Sequence, residues 1–234
     1  MKREKPVFQT TEDGSKTLYL NNLKEPYHSL YGAVSESRHI FLEAGFSTMV
    51  DKACSITIFE MGFGTALNAF LTFQEARKRQ KVKVHYVAVE AWPIEEDLFT
   101  RLDYATFVND QDAADIFLKM HTCPWDIPYF ISDQFVLNKI HSPFEDLTLK
   151  DMSFDLVYYD AFSPDLQPEL WSETVFEKLF RAMRPGGILL TYSARGTVKR
   201  AMQMAGFVVE ALPGPAGKRE ITRALRPTVH HHSH

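Results

Sequence analysis

Two cysteines stand in a chain of 234 residues, Cys54 and Cys123, too far apart for a CxxC pair or a metal-ligand spacing. They read as reduced thiols of a cytosolic protein rather than as a disulfide, and no metal is expected. No apolar run approaches the ~20 residues that a membrane-spanning helix needs. The basic start MKREKP leads into no apolar segment of a signal peptide. The expectations are a cytoplasmic location and no membrane partner. A broad basic excess is lacking too. With a net charge of -4 the chain does not look like a dedicated duplex binder, so any nucleic-acid contact falls to local patches at 77–83, 198–200 and 218–226. The first of these reads as a solvated helix face. No GxxxxGK[ST] phosphate loop is present. The glycine turn EMGFGTAL has Ala66 and Leu67 where the dinucleotide fingerprint places its third glycine, which argues against a pyrophosphate.

What is present is an alternation of short apolar runs and helical patterns from residue 56 onward. ITIFE (56–60), VHYVAVE (84–90), QFVLNKI (134–140), FDLVYYD (154–160) and GILLTYS (187–193) read as strands. TALNAFLTFQEARKR (65–79) reads as an amphipathic helix. PELWSETVFEKLFRAM (168–183) reads as a helix begun by Pro168 and stopped by RPGG, with Trp171, Val175, Leu179 and Met183 on its core face. IEEDLFTRL and RGTVKRAMQMAG read as shorter helices, and 109–134 as irregular. The end of the chain is the most diagnostic part. FVVEALP (207–213) and REITRAL (219–225) are joined by GPAGK, and so short a connection permits only an antiparallel hairpin, since a parallel crossover needs a dozen or more residues. A parallel α/β sheet closed by such a hairpin is the pattern of class I methyltransferases rather than of nicotinamide-binding Rossmann domains. The expected fold is therefore α/β, a Rossmann-like class I methyltransferase with a seven-stranded, mostly parallel sheet and a C-terminal antiparallel hairpin. It would occupy residues 55–228. Residues 1–54 would be an N-terminal extension, a hairpin plus a helix near SESRHIFLEAG, and 229–234 a tail whose histidines receive no role.

Ligands of open α/β sheets sit at the carboxyl ends of the strands. There the E-x-G-x-G turn brings backbone close to a ligand, and Glu60, Gly62, Phe63, Gly64, Thr65 and Asn68 are candidate cofactor contacts. Glu90 ends VHYVAVE and can accept both ribose hydroxyls of an adenosine, because vicinal hydroxyls match two carboxylate oxygens. The bland alternative is a surface acid at a strand end. Glycine turn, ribose acid and terminal hairpin together favour S-adenosylmethionine over NAD. At the end of FDLVYY, Asp160 could orient an amine, take its proton or stabilise the ammonium that forms, and it also counts among the cofactor contacts. Phe162 and Tyr159 could exclude water and wall a flat base, with core packing an equal reading for Tyr159.

YYDAFSPDLQPELW, RPGGILLTYSARGTVKRAMQMAGF and GPAGKREITRA closely resemble three consecutive blocks of the MnmC methyltransferase family. That family includes a stand-alone form, MnmD, which lacks the fused oxidase domain. FGTALN and HSLYGAVSESRHIFLEAG match its glycine block and its N-terminal block, so the similarity covers roughly residues 7–226. The resemblance implies an S-adenosyl-L-methionine-dependent N-methyltransferase. Its substrate would be the exocyclic amine of 5-aminomethyl(-2-thio)uridine at the tRNA wobble position, and its product the 5-methylaminomethyl nucleoside. It implies further that Gly62 and Gly64 line the cofactor, that Glu90 holds its ribose, and that Asp160 and Phe162 face the reacting amine. Ser163 and Pro164 would stand beside them on the substrate side. Lys199, Arg200, Lys218 and Arg219 would lie near tRNA phosphate. An upstream enzyme would supply the aminomethyl nucleoside.

The sequence departs from the family after the third strand, where Ser142 and Pro143 replace a Gly-Asp that helps to hold adenine. Glu145 or Asp146 would substitute, or backbone and apolar contacts would suffice. Two other classes remain in view. An aminopropyltransferase of the spermidine-synthase type would need several acids for a polyamine, and YYDAFSPD offers Asp160 and Asp165. A non-catalytic binding module would be favoured by loss of the glycine turn or of Asp160, and both are present.

Overall fold

The computed structural model describes residues 4–51, 53–79 and 81–228; the expected tail at 229–234 lies outside them. Three short strands open the chain, β1 (Val7–Thr10), β2 (Lys16–Leu20) and β3 (Glu25–Pro26), paired antiparallel in that order. A helical run follows over 33–50, α-helical at Ala33–Ser37 and Ser47–Val50 and π-helical at Arg38–Phe46.

The main sheet contains β4 (Ser55–Met61), β5 (Lys83–Glu90), β6 (Tyr129–Ser132), β7 (Phe135–His141) and β8 (Phe154–Tyr159). It is completed by β9 (Met183–Thr191), β10 (Val208–Pro213) and β11 (Glu220–Leu225). Their spatial order is β10-β11-β9-β8-β4-β5-β7-β6. Strands β4, β5, β7, β8 and β9 are parallel. The terminal hairpin closes one edge, with β11 antiparallel between β9 and β10. The chain steps outward from β4 to β5 and β7, then returns to β8 on the other side of β4. That reversal opens a crevice at the carboxyl ends of β4 and β8, where such sheets bind ligands.

The sheet has eight strands where seven were expected. The stretch 109–134 holds a helix, Ala113–Thr122, and the edge strand β6, which pairs antiparallel with β7 across an irregularity at Phe130 and Ser132. In β6 only Ile131 is buried, so four residues with one inward side chain show no readable period. The helix expected over 168–183 is broken. A 3₁₀ turn at Pro168–Trp171 is followed by Ser172 in extended backbone, and the α-helix proper is Glu173–Ala182. Serine is a residue that favours this non-helical entry position. Met183 is buried as expected, but it already belongs to β9.

The helix Leu67–Arg77 is not amphipathic, because every side chain from Leu67 to Gln74 is buried. The run 33–50 covers the face that would otherwise meet water. Its Ile40, Phe41 and Phe46 share one core with Leu67, Phe70 and Tyr158, and Phe41 lies 4.9 Å from Tyr158, ring centre to ring centre. Gly45 permits the close approach, since a Cβ there would lie 2.4 Å from Leu190 Cδ1. The N-terminal segment is thus integral to the core that supports the crevice. No helix among the described residues is long and apolar enough to cross a membrane.

Candidate active site

A cleft of about 650 Å³ lies at the carboxyl ends of β4, β5 and β8. One half of it is built largely from backbone. After β4 the chain turns through Gly62 (φ 89°), Gly64 (φ 48°) and Ala66 (φ 62°) into the helix Leu67–Arg77. Ala66 takes a left-handed backbone that glycine would adopt freely, at a cost of about 1 kcal/mol. The amides of Gly62 and Phe63 both donate to the Val89 carbonyl, at 3.0 and 3.1 Å. The Gly64 amide donates to Glu90 Oε2 at 2.9 Å, and the Trp92 amide to Glu90 Oε1 at 2.8 Å. Glu90 therefore ties two turns together, and each of its oxygens keeps a second lone pair. Glu60, at the same end of β4, is 1% exposed and its Oε2 has no hydrogen-bond partner. Burial pushes its carboxyl well above the usual carboxylate range, against a hydrogen bond from Asn68.

The other half centres on Asp160, just past β8. Asn68 Nδ2 donates to Asp160 Oδ2 at 2.8 Å, while Asn68 Oδ1 accepts from Ser37 Oγ at 2.6 Å. Burial raises the Asp160 carboxyl to about 7 and the charge of Glu36 adds to the rise; the Asn68 hydrogen bond and Lys218 oppose it. The loop after β8 is pinned by two aromatic donors. Tyr192 Oη donates to the Ala161 carbonyl at 2.9 Å and Trp171 Nε1 to the Phe162 carbonyl at 2.8 Å. Phe162 meets Tyr27 edge to face, with centroids 5.1 Å apart.

The N-terminal segment also lines the cleft, and its Tyr27, His28 and Glu36 were missed in the sequence. His28 is buried, bonded to Thr17 Oγ1 at 3.2 Å and to Thr65 Oγ1 at 3.4 Å; burial, with Lys218 nearby, pushes its imidazole down to about 4. Glu36 accepts the Ser29 amide at 2.9 Å on one oxygen and the Lys218 ammonium on the other. The one available signal for His28 and Glu36 was the family-like block HSLYGAVSE that contains them.

Of the sequence candidates, Glu60, Gly62, Phe63, Gly64, Thr65, Asn68, Glu90, Asp160 and Phe162 line the cleft. Ser142, Pro143 and Glu145 line it as well, whereas Asp146 does not. Tyr159 is in the core: it is fully buried, its hydroxyl donates to the Leu170 carbonyl, and its ring packs edge-on to Trp171 at 4.9 Å. Ser163 and Pro164 are half-buried and outside the lining. Lys218 lies inside the cleft against Glu36, with its ammonium 5.0 Å from the Tyr192 ring centre, not on an outer phosphate-facing surface. Lys199 is paired with Glu220 at 2.5 Å, and Arg200 and Arg219 are exposed beyond the rim. In the patch at 77–83, Arg77 pairs with Asp110 and Asp112, and Arg79 with Asp51 and Glu75.

Residues 137–227 match a family described as S-adenosyl-L-methionine-dependent methyltransferase. The chain is 30% identical over 220 residues to the tRNA 5-methylaminomethyl-2-thiouridine biosynthesis bifunctional protein MnmC of Cupriavidus metallidurans, covering 89% of this chain and 32% of that protein. With the protein of the same name from Ralstonia nicotianae the identity is 31% over 213 residues, covering 86% and 32%. The chain thus spans about a third of the length of the curated relatives it matches. Among solved structures, MNMC2 from Aquifex aeolicus aligns with a TM-score of 0.81 at 23% identity, covering 97% of this chain and 72% of that one. Spermidine synthase from Thermotoga maritima aligns at 0.54 and 14% identity, covering 97% and 74%. At these identities the two structures share the fold with this chain.

Proposed function

We propose, from the premise that this chain belongs to the methyltransferase family of the MnmC proteins, that it methylates the exocyclic amine of 5-aminomethyl(-2-thio)uridine at the tRNA wobble position. S-adenosyl-L-methionine is the donor. The observation that carries the reading is a single cleft in which a glycine turn braced by Glu90 faces a strand-end carboxylate, Asp160, raised to about 7.

The cleft suits the cofactor. Gly62 turns the chain at φ 89°, a backbone conformation that a side chain would strain, so glycine keeps the turn beside Asp160 in place. Glu90 has lone pairs to spare for two ribose hydroxyls. Ser142, Pro143 and Phe144 line the same cleft near Trp92, which favours adenine held by backbone and apolar contacts with Glu145 at the edge. Bound there, S-adenosyl-L-methionine supplies a methyl group on a sulfonium.

The protein's own part is acid–base chemistry and positioning. Asp160 takes one proton from the substrate ammonium, which frees the nitrogen lone pair. The freed lone pair would then accept the methyl group, the S–C electron pair staying on sulfur, to leave a neutral thioether and a secondary ammonium. A carboxyl near 7 is about half ionised at neutral pH, close to the optimum for such a transfer. Asn68 fixes the orientation of Asp160, while Phe162 and Tyr27 exclude water and wall the uracil. Residues 1–54 and 55–228 act as one unit, because both supply the acceptor half. The partners are tRNA and an upstream enzyme that makes the aminomethyl nucleoside, and the compartment is the cytoplasm.

The test uses tRNA from cells that accumulate the 5-aminomethyl nucleoside. After incubation with the protein and S-adenosyl-L-methionine, mass spectrometry of the digested nucleosides is expected to show one added methyl on that nucleoside alone. If that nucleoside stays unchanged while putrescine gains an aminopropyl group from the decarboxylated cofactor, aminopropyl transfer replaces the reading.

A further inference from the structure

The acceptor half contains a charge arrangement that a single catalytic acid does not require. Lys218 is the only lysine or arginine among the described residues lining the cleft, against seven acidic side chains, Glu25, Glu36, Glu60, Glu90, Glu145, Asp160 and Glu169, of which burial keeps Glu60 toward its neutral form. Its side chain is 26% exposed, and its ammonium is spent on Glu36 rather than offered to solvent. The hairpin tip that carries it leans on the N-terminal segment. Gly217 has φ 79°, and a Cβ there would fall 2.1 Å from the Tyr31 ring. His39 Nε2 and the Pro213 carbonyl lie 2.8 Å apart across the same junction.

Glu36 is held as a recognition group would be. It is 8% exposed, and the Ser29 amide fixes one of its oxygens. The next residue, Ser37, starts the hydrogen-bonded relay through Asn68 to Asp160, so the two carboxylates are set on one rigid frame. A lysine ammonium on four flexible carbons can swing off such a carboxylate without moving backbone. A primary ammonium on a substrate offers the same donors and the same charge.

We propose that Glu36 is the ammonium-selecting residue of the acceptor half and that Lys218 is its built-in counter-ion, displaced when the substrate's aminomethyl ammonium arrives. The inference rests on the amine-methylation reading and names the residue that recognises the amine before Asp160 deprotonates it. Glu36 is a positioning residue. Lys218 keeps the buried acid neutralised in the free protein, since an unpaired buried charge is costly, and it disfavours uncharged 5-substituted uridines, which cannot replace it on Glu36.

The experiment is calorimetric binding of the nucleosides 5-aminomethyluridine and 5-hydroxymethyluridine to the full chain saturated with S-adenosyl-L-homocysteine. The wild type is expected to prefer the amine by about tenfold or more, the size of one charge-assisted hydrogen bond. Glu36→Gln keeps an acceptor for the Ser29 amide and is expected to abolish the preference. Lys218→Met removes the competitor and is expected to tighten amine binding about fivefold. Opposite signs for the two variants separate recognition from a structural bridge, which would weaken binding in both. An unchanged preference in Glu36→Gln, or weaker amine binding in Lys218→Met, overturns the inference. Because binding is read without turnover, an amine preference lost in Glu36→Gln alongside methyl transfer absent from the wild type would sink the methylation reading and leave the ammonium site standing.

Discussion

The two halves of the cleft are made in different ways. The donor half uses contiguous chain, residues 60–68 and the end of β5, and most of its contacts are backbone amides anchored on Val89 and Glu90. The acceptor half is assembled from Tyr27, Glu36, Asp160, Phe162, Tyr192 and Lys218, spread over almost the whole chain and held by side-chain bonds. A backbone cradle suits a cofactor that does not vary. Side chains gathered from distant elements suit a substrate that differs between enzymes of one fold.

That division can be broken first at Asp160. Asp160→Asn keeps the shape and removes the proposed base, so single-turnover methyl transfer is expected to fall by about a thousandfold. In the wild type kcat/KM should rise with pH through about 7 and then level, because the carboxylate is the active form. The same burial has a cost. With its pKa raised from 3.8 to about 7, the native state holds this proton more tightly than the unfolded state does, so this group lowers stability as pH rises between these values. Asp160→Asn should remove that slope in denaturant titrations.

On the donor side, Glu90→Ala removes the acceptor of both the Gly64 and the Trp92 amides as well as the proposed ribose contact. Calorimetry should show cofactor affinity weakened by about thirtyfold, while the nucleoside binds as before. A parallel loss of nucleoside binding would mean that the halves are not independent. The smallest effect belongs to the outer rim. Lys199 is already paired with Glu220, so changing Lys199 and Arg200 together to Ala should weaken tRNA binding only about threefold and flatten its salt slope by about one. An unchanged slope would move the tRNA backbone to another face.

The same contrast explains how much of the molecule could be read from its residues. The glycine turn, Glu90 and the closing hairpin are local patterns, and each lies where strand periodicity and loop length place it. The placement of Asp160 and Phe162 in the cleft was legible for the same reason, since both follow the end of β8. Tyr159 was ambiguous because β8 is buried on both faces, with Tyr158 in one core cluster and Tyr159 in the other, so no polar face marked the side on which the cleft lies. Lys218 looked like a phosphate contact because a basic residue in a hairpin does not announce its partner; Glu36 is 182 positions away. The buried outer face of Leu67–Arg77 was hidden likewise, since its cover is the run 33–50, outside the repeating α/β pattern.

The most direct measurement of the two-half arrangement is calorimetric binding of S-adenosyl-L-methionine to Asp160→Asn. With Asp160 confined to the acceptor half, the Kd should stay within about threefold of the wild-type value while methyl transfer is lost. A Kd raised about tenfold or more would contradict that division and place Asp160 in the donor half.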